Sequence, residues 1–163
     1  MIGEAQVEVQ VAVEVRRATV ADFATLLRMY VEFEPKAAAL GLPPRQPQRW
    51  LESLSVYPNF IALSGERVVG HVVLCLCLDT AEVAVFIHQD FRGQGIARRL
   101  LQAAIEEGKR LGLRRIWGMT EYDNLPMLRL VHSLGFVRGE DPRDFHLDLS
   151  VPDPAEPAKV FTS

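Results

Sequence analysis

Residues 80–100 read TAEVAVFIHQDFRGQGIARRL, and the fold turns on the change of period inside them. From Thr80 to His88 the apolar residues crowd together as in a buried strand. From Ile96 onward, Leu100, Leu101, Ala104, Ile105 and Leu111 recur at helical spacing, with charges on the opposite face. Between them lies FRGQG. A strand that ends in a glycine-bearing turn and feeds a helix leaves the first N–H groups of the helix without partners. With the partly positive helix end, those donors favour an anion. Gly93 and Gly95 keep side chains away and permit unusual backbone angles, and Arg92 adds a planar cation suited to phosphate. The motif is not a Walker loop, since GK[ST] is missing, and not a dinucleotide fingerprint, since the third glycine and a first βαβ unit are missing. Taken alone, such a turn is more often a plain connection than a ligand site.

Outward from this stretch the punctuation is regular. AQVEVQVAVEVRRAT alternates with period two and predicts a half-buried strand. Thr19 then caps a helix, with Asp22 three residues on and Phe23, Leu26, Leu27 and Tyr30 on one face. EPKAAALGLPPRQP reads as a loop and PQRWLESLS as a short helix. NFIALS and RVVGHVVLCLCL are strands joined at Gly65–Glu66, a hairpin. Beyond Gly112, the expected stop of the long helix, RRIWGMT is a strand and NLPMLRLVHSLG a helix with Pro126 tolerable in its first turn. FVRGEDPRDFHLDLS closes as a strand or hairpin. The order βαα–βββ–αβαβ predicts one mixed sheet with helices on both faces. We read residues 1–150 as a single domain and the proline-rich 151–163 as a loose tail.

The 163 residues suffice for one domain with a real core. With 18 basic against 21 acidic residues, the net charge of −3 argues against nucleic acid or an anionic membrane as the main partner. No basic-then-apolar leader is apparent at the start, and no apolar run nears the ~18 residues of a membrane span. Cys75 and Cys77 would share one strand face, unbridged, and read as small buried hydrophobes in a reducing compartment. Neither lies near a metal-like array. The expectation is a cytoplasmic protein without a metal.

RGQGIA matches the R/Q-x-x-G-x-G/A pyrophosphate motif of the GNAT superfamily of acetyl-CoA-dependent N-acetyltransferases, with Arg92, Gly95 and Ala97 in the defining positions. Farther on, NLPMLRLVHSLGF is similar to the second signature of that family, through Asn124, Gly135 and Phe136. The resemblance implies an α/β (α+β) domain with a central mixed, mostly antiparallel sheet whose fourth and fifth strands splay apart around the pantetheine arm. It implies that the backbone of Val85, Phe86 and Ile87 pairs with that arm. It further implies that Arg92, Gly93, Gln94, Gly95, Ile96 and Ala97 hold the pyrophosphate, and that Asn124 contacts the arm from the other side. Arg98 is an additional phosphate candidate or an ordinary solvated charge.

Acetyl transfer to an amine needs a neutral nucleophile. A lysine of pKa ~10.4 is neutral in about one molecule in 2,500 at pH 7, a penalty of about 4–5 kcal/mol. Glu82, unexpected in an apolar strand, is the candidate general base. Many GNAT members place a tyrosine seven residues after the asparagine to protonate the departing thiolate. That position here is Val131, about 20° from the phase of Asn124 on an ideal helix, whereas His132 is about 80° away. Tyr122 is a loop alternative. A thiol of pKa ~8.5 is a tolerable leaving group without an acid.

The AEVAV glutamate, RGQGIA and the missing tyrosine together resemble the catalytic domain of bacterial Pat-type protein lysine acetyltransferases, in which the glutamate of the AE-x-A stretch is the base. The resemblance implies acetyl-CoA as cosubstrate, coenzyme A as product and a protein lysine as acceptor. A small amine or amino acid, enclosed by the 34–48 stretch, is the alternative acceptor, and a non-catalytic acetyl-CoA sensor is the alternative function. His71 and His88 read as packed or rim residues, Trp117 as core, and Trp50, Phe23, Tyr30 and Phe33 as cover of the acceptor region. Exposed strand edges are compatible with a homodimer.

Overall fold

The computed structural model describes residues 12–149; the expected tail at 151–163 and the expected strand residues 5–11 lie outside them. Seven strands form one sheet: β1 (Val13–Arg17), β2 (Asn59–Ser64), β3 (Arg67–Cys77), β4 (Thr80–Ile87), β5 (Arg115–Met119), β6 (Val137–Arg138) and β7 (Asp144–Asp148), in the order β1-β2-β3-β4-β5-β7-β6. Every neighbouring pair is antiparallel except β4 and β5, which run parallel. The helices are α1 (Phe23–Glu32), α2 (Gln48–Leu54), α3 (Ile96–Arg110) and α4 (Leu125–Ser133).

Local chemistry accounts for the starts. The Thr19 N–H donates to Asp22 Oδ2 at 2.7 Å, closing the turn Val20–Asp22 that leads into α1. Arg16 grips the same carboxylate through both nitrogens, at 2.8 and 2.7 Å, and holds its pKa well below the usual carboxylate range. Pro126 sits in the first turn of α4, where its missing N–H costs nothing.

Two apolar layers flank the sheet. On one face α3 and α4 bury Leu100, Leu101, Ala104 and Val131 against Val72, Leu74, Val83 and Ile116. On the other, α1 and α2 bury Leu26, Met29, Tyr30 and Leu51 against Ile61, Val68 and Phe86. In β3, residues 68–74 are therefore buried without a break. Coverage then stops: Cys75 is half-buried and Cys77 exposed, both free thiols. The expected burial of the two cysteines fails because β3 runs on past the helices into a projecting hairpin, whose tip residue Leu78 is almost fully exposed. Leu111 is likewise exposed, since α3 ends at Arg110 and leaves it beyond the packed face. Trp117 is half-buried rather than core, because α1 and α2 cover β2–β4 and leave that face of β5 open. Among the described residues, no helix is long and apolar enough to cross a membrane.

Candidate active site

The parallel pairing of β4 with β5 covers only Thr80–Arg115, Ala81–Ile116 and Glu82–Trp117. Past that pair β4 runs on to Ile87 and β5 to Met119 with no pairing between them, so a wedge-shaped slot opens inside the sheet. The far edge of β4 stays bonded to β3 along its whole length. The His88 N–H donates to the Val69 carbonyl at 2.9 Å. Strand alternation then turns the polar groups of Phe86 toward β3, and those of Val85 and Ile87 into the slot. An extended ligand carrying amides would find there the N–H and carbonyl of Val85 and the N–H of Ile87, whose carbonyl accepts from Arg92. Phe86, the middle residue of the expected set, does not present its backbone to the slot. Its ring is buried edge-on against Tyr30, Phe33 and Trp50.

At the open end of the slot, residues 92–95 are exposed, with Gly93 at φ +75° and Gly95 at φ +79°. Any other residue would pay roughly 1–2 kcal/mol for that left-handed backbone. Gly95 is the N-cap of α3 and supplies no side chain to it. The first-turn N–H groups of Ile96, Ala97 and Arg98 therefore have no carbonyl behind them, while the buried Ile96 side chain fixes the turn in the core. A Cβ built on either glycine meets nothing within 4 Å, so the loop is an open cradle. Its donors and its shape fit a pyrophosphate.

Three expected ligands direct their side chains elsewhere. The Arg92 guanidinium donates to the Ile87 carbonyl at 3.0 Å and to the Glu34 carbonyl at 2.8 Å, and it lies 5.0 Å from the Phe33 ring centroid. Arg98 donates to Ser133 Oγ at 2.7 Å, tying α3 to α4 beside the loop. Asn124 caps α4 by accepting from the Met127 N–H at 3.3 Å, and donates to Thr120 Oγ1 at 3.1 Å. Gln94 is exposed within the turn.

Glu82 stands at the vertex of the slot, in the last pair before the strands part. Its neighbours Ala81 and Val83 point into the α3 layer, so its side chain lies on the opposite face, shared with Ala84 and Phe86. Partial burial raises its carboxyl pKa above the ordinary value. Cys75 faces it across β3 and Trp117 across β5. Burial, and then the Glu82 charge, pushes the Cys75 thiol up. Trp117 becomes legible beside Glu82 only once the β4–β5 register is known.

Val131 is 3% exposed in the α3–α4 core and can donate no proton. Tyr122 is exposed under the Arg143 guanidinium. His88 is a buried rim residue between Arg67 and Glu32. His71 is packed, accepting at Nδ1 from the Tyr30 hydroxyl at 2.6 Å and donating from Nε2 to Asn59 Oδ1 at 3.1 Å. Among the described residues, no group of three or more His, Cys, Asp or Glu could hold a metal ion.

A model of the acetyltransferase (GNAT) family matches residues 23–136. Among curated proteins, the chain is similar to an L-methionine sulfoximine/L-methionine sulfone acetyltransferase of Salmonella typhimurium, 39% identical over 58 residues, 36% of this chain and 34% of that protein. The matched segments span between 34% and 57% of the length of such curated relatives. Among solved structures, the fold matches the GNAT domain of S. lividans PAT, with a TM-score of 0.75 at 20% identity, over 84% of this chain and 90% of that one. It also matches yncA from Salmonella typhimurium, solved with its cofactor acetyl-CoA, with a TM-score of 0.67 at 24% identity, over 88% and 99% of the two chains.

Proposed function

The chain belongs to the acetyltransferase (GNAT) family, and on that premise we propose that it transfers an acetyl group from acetyl-CoA to a primary amine, with Glu82 as the general base. The observation that carries this reading is the position of Glu82 at the vertex of a slot whose open end leads to the anion cradle. Acetyl-CoA, when bound, supplies an acetyl group activated as a thioester. The amides at 92–98 hold its pyrophosphate, and the free groups of Val85 with the N–H of Ile87 orient the pantetheine arm. Glu82 takes the proton of the incoming ammonium, directly or through water. Its raised pKa brings it closer to the working pH of a base. In this reading Arg98, in the first turn of α3, reaches the phosphates, and Asn124, at the start of α4, contacts the arm from the other side, by small side-chain shifts from Ser133 and Thr120.

The finer reading, a protein lysine as acceptor, is supported by the AEVAV glutamate and by the fold match to the GNAT domain of PAT. A second reading, a small amine or amino acid, is supported by the methionine sulfoximine relative and by the 34–48 stretch, which is tied beside the site to Arg92 and Glu121.

The test is thiol release from acetyl-CoA with protein lysines and with small amines, for the natural chain and for Glu82→Gln. Turnover should fall about 10²–10⁴-fold in the variant while acetyl-CoA affinity stays. In the natural chain kcat/KM should fall as the pH drops through a carboxyl pKa raised above the usual range, and the variant should lack that limb. Full activity in the variant removes Glu82 as the base. Tight cofactor binding without turnover on any acceptor favours the sensor.

A further inference from the structure

The wide end of the slot has no strand pairing to hold it, and a different part of the chain crosses it. Segment 37–43 folds as a small hairpin. Ala37 N–H donates to the Pro43 carbonyl at 2.8 Å, and Ala39 and Leu42 exchange hydrogen bonds of 3.1 and 3.0 Å around Leu40 and Gly41 at the tip. On its β4 side the base of this hairpin is tied several times. Gln89 accepts from the Glu34 N–H at 2.9 Å and donates to the Glu32 carbonyl at 2.8 Å. Arg92 joins the Glu34 carbonyl and the Phe33 ring to the Ile87 carbonyl, the last slot-facing acceptor of β4. On the β5 side the tip makes one tie, from the Leu40 N–H to Glu121 Oε1 at 3.0 Å.

Because β4 and β5 are parallel, Ile87 and Glu121 lie at the same end of the fork, five and four residues beyond the Glu82–Trp117 pair. The hairpin thus links the two diverging ends, on the sheet face opposite α3. We propose that it is a brace that sets the width of the slot, and that Arg92 and Glu121 are its two positioning residues. Arg92 is then no phosphate ligand: its guanidinium is engaged with two carbonyls and an aromatic ring on the slot side of the loop. This inference rests on the cofactor reading of the slot.

The experiment compares two probes on the full chain. Adenosine 3′,5′-bisphosphate reaches only the anion cradle, whereas coenzyme A also fills the slot. Arg92→Ala and Glu121→Ala should each weaken coenzyme A binding about three- to tenfold, the worth of one or two net hydrogen bonds. Binding of the bisphosphate should stay within about twofold. Of the ties named, only that of Arg92 reaches β4 itself, since Gln89 lies in the turn beyond it, and only that of Glu121 reaches the β5 side. Either cut uncouples the two strands, so the double variant should bind coenzyme A no more weakly than the worse single variant. Glu121→Gln keeps the accepting oxygen and should match the natural chain, which guards against a folding defect in the alanine variants. Equal loss of both probes in Arg92→Ala would make Arg92 a phosphate ligand and overturn the proposal, as would additive losses in the double variant. Failure of the natural chain itself to bind either probe overturns the cofactor reading, and the brace with it.

Discussion

The two halves of β4 share one sequence pattern and differ in their neighbours. Thr80–Glu82 is bonded on both edges, to β3 and to β5. Val83–Ile87 is bonded to β3 alone. An open edge normally lies at the rim of a sheet, where it invites unwanted pairing. Here it is interior, facing β5 across the slot and backed on one sheet face by the α3–α4 layer, a place for an extended ligand rather than for a strand of another molecule. The boundary between the halves is Glu82, the base of the proposed mechanism. In that proposal, binding edge and reactive group are set by a single event, the parting of two strands.

That contrast can be attacked at several points besides Glu82. The largest structural effect is expected at Gly118, which follows the last residue of β5 paired with β4. A Cβ there would stand 2.6 Å from Phe145 Cζ and 3.1 Å from the Val83 carbonyl oxygen. Gly118→Ala should destabilise the chain by about 1–3 kcal/mol, the usual cost of overpacking, read as a lower thermal midpoint and weaker coenzyme A binding. An unchanged midpoint would mean that close packing at the fork does not fix β5. A smaller effect is expected at the end of the unpaired half. Gly95→Ala must hold φ +79° and should cost about 1–2 kcal/mol. It should weaken both coenzyme A and the adenosine bisphosphate, which separates the cradle from the brace. Loss of coenzyme A binding alone would contradict the cradle.

The smallest effect concerns His71, paired with Phe86 in the unpaired half and buried with its pKa pushed down to about 3. Unfolded, it titrates near ~6.5. Between these values the unfolded chain binds a proton that the folded chain refuses. Its contribution is complete well above pH ~6.5 and declines as the pH falls, by about 0.8 kcal/mol at pH 6 and with a limiting slope of about 1.4 kcal/mol per unit. Denaturant titrations at several pH values should show this slope, and His71→Gln should remove it. The same slope in the variant would assign it to other groups.

The element order was legible because its signals are local. The Thr19–Asp22 cap, the α3 face and Gly93 and Gly95 each act within a few residues, and the structure places them accordingly. Side-chain destinations were not legible in the same way. Arg92 fills a motif position as a cation, yet its guanidinium crosses to Glu34, 58 residues away. Asn124 fills its motif position as a helix cap. Cys75 and Trp117 look like core residues in an apolar run. Only the places where the helical cover ends and the strands part set them beside Glu82.

By itself, then, the sequence determined a mixed sheet clothed by helices, a glycine cradle at the start of α3 and one carboxylate out of place in an apolar strand. Periodicity, capping and backbone freedom are properties of neighbouring residues. The splay of the fourth and fifth strands followed from the family resemblance. Tertiary structure alone decided that these strands part after three pairs, that Phe86 turns its backbone away from the slot, and that a hairpin from residues 37–43 spans the gap to Glu121. Those outcomes depend on contacts between distant segments, and such contacts exist only once the whole domain has packed.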